Sequence, residues 1–372
     1  MREPVYLDHN ASTPVKPAVR DAMVEVLSAT GNPSSIHSFG RSARGTLDHA
    51  RGQVAAAINA TPEDIIFTSG ATEADNAALR ATPVASVLVS AIEHDAVLQA
   101  RDDVVQLQVT ETGVVDLVAL DKALANAPAP ALVSVMLANN ETGVIQPVAE
   151  IVEVAKRHGA YTHCDAAQAL SKMPVDLQAL GVDMMSLSGH KCGAPAGVGA
   201  LVVTERLEPS KWQFGGGQEK RRRPGTENLA GIVGFGKAAE LADEDLDAFS
   251  KLGAMRDQME AEVKAAVPSV LILSQTADRL PNTSNIVLPG VPAQTQVMSL
   301  DLAGYAVSSG SACSSGRVDP SHVVEAMIGD QELAKCALRI SAGWNTTADD
   351  MAGFTEAYIR MAKRQLEKLA AA

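Results

Sequence analysis

The chain has 372 residues, 46% hydrophobic and 20% charged, which is enough apolar material for a large core and more than one domain. A formal net charge of -13 with only 3% aromatic residues argues against a basic, base-stacking surface, so no nucleic-acid partner is expected. The opening MREPVYLDHN has no basic end followed by an apolar core, and no apolar run reaches membrane-spanning length, so the expectation is a cytoplasmic protein without membrane contact.

In chain order, an apolar start at 5–7 reads as a short strand, and the polar run after it, Asp8 to Pro14, as either a turn or part of a site wall. Helical periodicity covers 17–27 and 41–60, with a loop at 31–35 between them. From residue 65 strands and helices alternate. Strand signals fall at 65–68, 84–91, 104–109, 132–137, 161–164, 182–187 and 198–203, and helical ones at 73–79 and 148–157. Alternation of this kind predicts an α/β fold with a mostly parallel, helix-covered sheet. Beyond Asn228 the pattern is helical to about 267, and then a smaller α+β unit appears. Its strands are expected at 283–288, 305–308 and 337–341, and its helices at 294–302 and 348–369, the last opened by a Thr347/Asp350 capping box. The expected division is a large domain over 15–255 and a small one formed by 1–14 with 256–372.

In a parallel sheet the carboxyl ends of the strands line one edge, where ligands bind. Polar residues collect there. Ser69-Gly70-Ala71-Thr72 opens a helix and would cradle a phosphate on backbone N–H groups. Glu93-His94, Asn139-Asn140-Glu141-Thr142-Gly143 and Asp165 with Gln168 follow other strands, and Ser188-Gly189-His190-Lys191 follows another. A buried lysine loses proton affinity and becomes a nucleophile able to form a Schiff base. The set suits pyridoxal 5'-phosphate: Lys191 for the aldehyde, Ala71 and Thr72 with Ser188 and His190 for the phosphate. Asp165 would face the pyridine nitrogen, His94 the ring and Gln168 the ring hydroxyl. The cysteines at 164, 192, 313 and 336 contain no CxxC pair, and the chain lacks metal-ligand spacing, so no metal is expected.

With these residues assembled, the sequence resembles the cysteine desulfurases, in the class V aminotransferase branch of fold-type I pyridoxal-phosphate enzymes. The matching stretches are YLDHNASTP, SGATEADN, EHDAV, NNETG, HCDAAQ, SLSGHKCGAPAGVGAL, RRRPGTENLAGIVGF, SSGSACSSG and LRISAGWNTT, in family order from residue 6 to 347. Gly189 and Cys192 depart from the alanine and the bulkier apolar residue expected beside the lysine, and read as packing variation.

The resemblance implies that Lys191 holds the cofactor and moves the Cα proton, assisted by His94. It implies that Thr226 reaches the phosphate of a neighbouring subunit in a homodimer, and that Asn140 and Arg339 grip the substrate carboxylate. Cys313 lies in Ser308-Ser309-Gly310-Ser311-Ala312-Cys313-Ser314-Ser315-Gly316, among small residues that could build no core, whereas the other three cysteines read as buried. Cys313 would attack the sulfur of L-cysteine, release L-alanine and carry a persulfide to an acceptor protein, an iron–sulfur scaffold or another sulfur carrier serving tRNA or thio-cofactor synthesis. The rival readings are a selenocysteine lyase, another class V aminotransferase, and a cofactor-binding assembly partner without catalysis.

Overall fold

The computed structural model describes residues 4–310 and 320–371. Beyond the short N-terminal strand β1 (Val5–Tyr6), the apolar runs of the first two thirds form β2 (Ile65–Thr68), β3 (Ser86–Ser90), β4 (Val104–Leu107), β5 (Ala131–Ser134), β6 (Tyr161–Asp165), β7 (Met184–Ser188) and β8 (Gly199–Val203). These seven make one sheet in the order β2-β8-β7-β6-β5-β3-β4. β7, β6, β5, β3 and β4 run parallel, and β8 lies antiparallel between β7 and β2. Five of the strands are buried along their whole length because helices cover both faces, which is why they read as unbroken apolar runs. The carboxyl ends of β2, β3, β5, β6 and β7 therefore share one edge.

The smaller unit contains β9 (Leu271–Ile272), β10 (Thr283–Val287), β11 (Tyr305–Ala306), β12 (Ser308–Ser309) and β13 (Ala337–Ser341). Four of them form an antiparallel sheet in the order β12-β13-β10-β9, while β1 pairs in parallel with β11. Its core joins Leu338, Ile340, Phe354 and Tyr358 to Val5 and Leu7 from the N-terminus. Full burial of each such side chain contributes about 1.5–3 kcal/mol. Phe249 and Leu252 belong to the same core, and residue 255 lies inside the long helix Ala242–Ala266.

Several expected boundaries moved for visible reasons. The helix expected at 41–60 starts at Ser38 because the His37 side chain accepts from Gly40 N–H at 3.2 Å and caps it. The strand expected over 132–137 leaves the ladder after Ser134, which pairs with Val89 next to the last residue of β3. It still follows β6, with Val135 N–H to His163 O at 3.1 Å and Leu137 N–H to Asp165 O at 2.8 Å. The single strand expected at 305–308 divides between two sheets. The helix Ala348–Ala370 opens with the expected capping box between Thr347 and Asp350.

Candidate active site

The shared sheet edge opens into a cavity of about 530 Å³. At one end β2 turns through Ser69 and Gly70 into the helix Ala71–Ala81. Gly70 offers no side-chain cap, so the first N–H groups of that helix face the cavity uncapped, and Ala71 and Thr72 line it. β8 must approach closely for this turn to form: a Cβ on Gly199 would lie 2.7 Å from the Gly70 Cα and 2.5 Å from Leu187 O. Ser188 and His190 line the same region. Burial and the neighbouring Lys191 push the His190 imidazole down to about 4, so it is neutral near pH 7.

Lys191 sits just past β7, half-buried, and its Nζ donates to the carbonyls of Asn10 and of Ala11, the latter at 2.9 Å. The polar run at 8–14 is therefore a wall of the cavity and not a detached turn. Gly189 has a packing reason, since a Cβ there would meet Val198 Cγ1 at 2.8 Å. Cys164, Cys192 and Cys336 are all buried free thiols, as their settings suggested.

Asp165 ends β6 with its Oδ1 accepting from Ala167 N–H at 2.8 Å, and burial raises its carboxyl above the ordinary range while His94 and Lys191 pull it back. Behind it stand Asp75, raised well up chiefly by burial and the charge of Asp165, and Glu93, raised by burial to about 8. Glu93 Oε1 accepts from Ser90 Oγ at 2.6 Å and Met136 N–H at 2.8 Å. His163 bridges Ser134 and Ser186 and is driven by burial to about 3, so it adds no charge. His94 lines the cavity, its Nδ1 accepting from Ala96 N–H at 3.0 Å.

On the opposite side Gln168 donates from Nε2 to Asn10 O at 2.9 Å, and its Oε1 accepts from the buried Lys172 at 2.6 Å. Arg339, on β13 and 3% exposed, donates to Asp8 Oδ1 at 2.7 Å and to Asn140 O at 3.2 Å. Asn140 and Arg339 line the cavity together with Gly310, the last described residue before position 311. Thr226 is exposed and is not among the lining residues. Cys313 lies outside the described residues. Sequence reasoning did not single out Asp75, Asn10 or Lys172: the first sits mid-helix, the second in a short polar run, and the third looks like a surface lysine. Among the described residues no three His, Cys, Asp or Glu side chains group as a metal site, and no helix is long and apolar enough to cross a membrane.

The model of the aminotransferase class-V family matches residues 5–354. The chain belongs to that family. Among curated relatives of this class-V protein, the putative cysteine desulfurase IscS 1 of Bacillus subtilis (strain 168) is 40% identical over 94% of this chain and 96% of its own length. The cysteine desulfurase IscS of Dictyoglomus turgidum is 40% identical over 94% and 92%. Of solved structures, a NifS-like protein from Rickettsia africae ESF-5 superposes with a TM-score of 0.89 at 35% identity, covering 96% of this chain and 99% of that one. SspA, solved in complex with cysteine, reaches 0.77 at 30% identity over 92% and 100%.

The family's cofactor is pyridoxal 5'-phosphate, and the donor set of this class-V chain fits it. An uncapped helix start suits a dianionic phosphate, a buried carboxylate suits a pyridinium, and an amine stands between them.

Proposed function

We infer that this protein is a pyridoxal-phosphate-dependent cysteine desulfurase that converts L-cysteine to L-alanine and takes the sulfur onto Cys313. The observation that carries the reading is the meeting, in one cavity, of Lys191, Asp165 and the uncapped start of the helix Ala71–Ala81.

When bound, the cofactor supplies an electron sink for the negative charge that develops at the substrate Cα. Ala71, Thr72 and Ser188 hold the phosphate with neutral His190 as a further donor, and Lys191 anchors the aldehyde carbon. Asp165 keeps the ring nitrogen protonated, His94 packs on the ring face, and the Gln168 amide meets the ring oxygen. Arg339 and Asn140 receive the substrate carboxylate, where the forked donors of a guanidinium fix both oxygens and so orient the Cα–H bond. The Lys191 amine, set free when the substrate amine takes its place at the aldehyde carbon, would remove that proton, and general base catalysis of this type is worth ~10²–10⁴ in rate.

The Cys313 thiolate then attacks the substrate Sγ. An S–S bond forms, the substrate C–S bond breaks with its electron pair passing to Cβ, and alanine is completed by a proton at Cβ and by return of the Cα proton from Lys191. An ordinary thiol, with pKa about 8.5, is only a few per cent ionised at neutral pH, so the reaction draws on the thiolate fraction. We further assign a two-domain chain, divided near residues 15 and 255, that works as a cytoplasmic homodimer. In it Thr226, exposed on one subunit, reaches the neighbour's phosphate, and the persulfide passes to an iron–sulfur scaffold or sulfur-carrier protein.

The test is to supply the purified holoenzyme with L-cysteine and a reductant and to quantify alanine and sulfide, with Cys313→Ala beside it. Equal amounts from the wild type and none from the variant support the reading. Sulfide from Cys313→Ala at the wild-type rate would remove Cys313 from the reaction.

A further inference from the structure

A second lysine lies deep in the cavity wall. Lys172 is 3% exposed, and its Nζ donates to two neutral amide oxygens, Gln168 Oε1 at 2.6 Å and Asn10 Oδ1 at 2.9 Å. Lysine is seldom buried this completely, and its two contacts among the described residues are to neutral amides, with no carboxylate among those residues paired to it. The residue before it, Ser171, holds a left-handed φ of 67°, which a non-glycine residue adopts only where its surroundings enforce it. That turn brings residue 172 back over residue 168.

The chemistry of the two partners settles the orientation of the Gln168 amide. A lysine amine held against an acceptor donates, so the Gln168 oxygen must face Lys172. A backbone carbonyl only accepts, so the Gln168 nitrogen must face Asn10 O, 2.9 Å away. One Nε2 hydrogen is used there, and because Gln168 lines the cavity the other remains for a ligand. The same Asn10 takes Lys191 on its carbonyl, accepts from Asn282 Nδ2 at 3.1 Å, and donates to Asn140 O at 3.1 Å and to Thr283 Oγ1 at 2.9 Å. Without the amine at 172, the Gln168 oxygen would lose its donor and Asn10 O alone would hold the amide, and Asn10 Oδ1 would lose a donor on the side chain that ties these groups together.

We propose that Lys172 is a positioning residue that locks the Gln168 amide with its N–H toward the cofactor's ring oxygen. This rests on the assignment of Gln168 to that oxygen in the proposed function. Donation from Lys172 to Oε1 also polarises the amide and strengthens its N–H as a donor. A stronger donor stabilises the deprotonated ring oxygen and so lowers the affinity for the proton shared between that oxygen and the Lys191 nitrogen. Any positive charge on Lys172 acts in the same direction. The other titratable and charged groups facing Lys172 are Lys191, Arg339, His9, His190 and Cys192, with Asp8 and Asp165 beyond them, and single substitutions at 172 leave all of these in place.

The experiment follows the absorbance of the bound cofactor against pH in the wild-type holoenzyme, Lys172→Met and Lys172→Gln, without substrate. Lys172→Met should raise the midpoint by roughly 0.5–1 pH unit, and Lys172→Gln, which keeps a neutral donor, by less. A merely structural lysine would lower thermal stability and leave the midpoint where it was. Midpoints within about 0.2 unit of wild type in whichever variants fold would overturn the proposal. If only Lys172→Gln accumulates, an upward shift beyond about 0.2 unit supports the proposal and a smaller one refutes it. A wild type that takes up no cofactor and shows no absorbance would instead defeat the parent reading.

Discussion

One side of the cavity gathers carboxyl groups and the other gathers basic groups, and burial shifts the two sets in opposite directions. On the sheet side Asp75, Glu93 and Asp165 crowd together, and burial raises all three carboxyls, with Asp165 adding to the other two by repulsion. Against the N-terminal run and β13, Lys172 from the segment after β6 stands with Lys191 from the segment after β7 and with Arg339. Burial pushes its amine well down, with those two cations adding to the effect. Each wall is costly alone, because like charges are gathered away from water. Together they make a polarised slot, which fits a ligand with a cationic ring nitrogen at one end and an anionic oxygen and a substrate carboxylate at the other. Proteins retain such unfavourable groupings chiefly where chemistry requires them.

Changes to either wall should separate the contributions. Replacing the amine on the basic wall, Lys191→Ala, should lower alanine formation from L-cysteine by ~10³-fold or more, since both the anchor and the base are lost. Steady-state assays would contradict this by showing less than a tenfold loss. Arg339→Ala should weaken substrate binding about 10- to 100-fold, as loss of a charge-assisted pair does, with cofactor affinity unchanged. Titrating L-cysteine against the holoenzyme spectrum reads the two separately, and unaltered substrate affinity would discard the carboxylate assignment.

The acidic wall predicts a stability effect. Glu93 keeps its proton to about pH 8 in the folded chain, whereas an unfolded glutamate loses it near 4.5. The folded state thus binds more protons between those values, so stability falls as pH rises through that window. Glu93→Gln, which mimics the protonated form, should lose up to about 3 kcal/mol less than wild type between about pH 5.5 and about pH 8.5 in denaturant melts. Parallel pH profiles would show that Glu93 is ionised in the fold. As a control distant from both walls, Thr347→Ala should cost only about 1 kcal/mol through loss of the helix cap, with cofactor binding intact.

Much of this was legible in the residues. Buried strands such as Ile65–Thr68 and helices such as Val148–Arg157 show as clean apolar patterns, and the polar groups at the strand ends follow from topology. The short elements were not legible. Leu271–Ile272 is a two-residue strand whose pairing depends on Ile286 and Val287, residues it meets only after folding. The helix Leu117–Asn126 was passed over although Asp116 caps it. Lys172 was invisible for another reason: Ser-Lys-Met reads as a surface turn until Ser171 adopts its left-handed conformation and folds the lysine inward. Asp75 shares that fate, since the helix period alone does not reveal that it faces His163 across 3.7 Å.

The proposed function requires that Lys191, and not its buried neighbour Lys172, binds the cofactor. Borohydride reduction of the pyridoxal-phosphate-loaded protein, followed by peptide mass mapping, tests it directly. The reduced pyridoxyl group should appear on Lys191 alone. Label on Lys172, or a protein left unlabelled after loading, would contradict it.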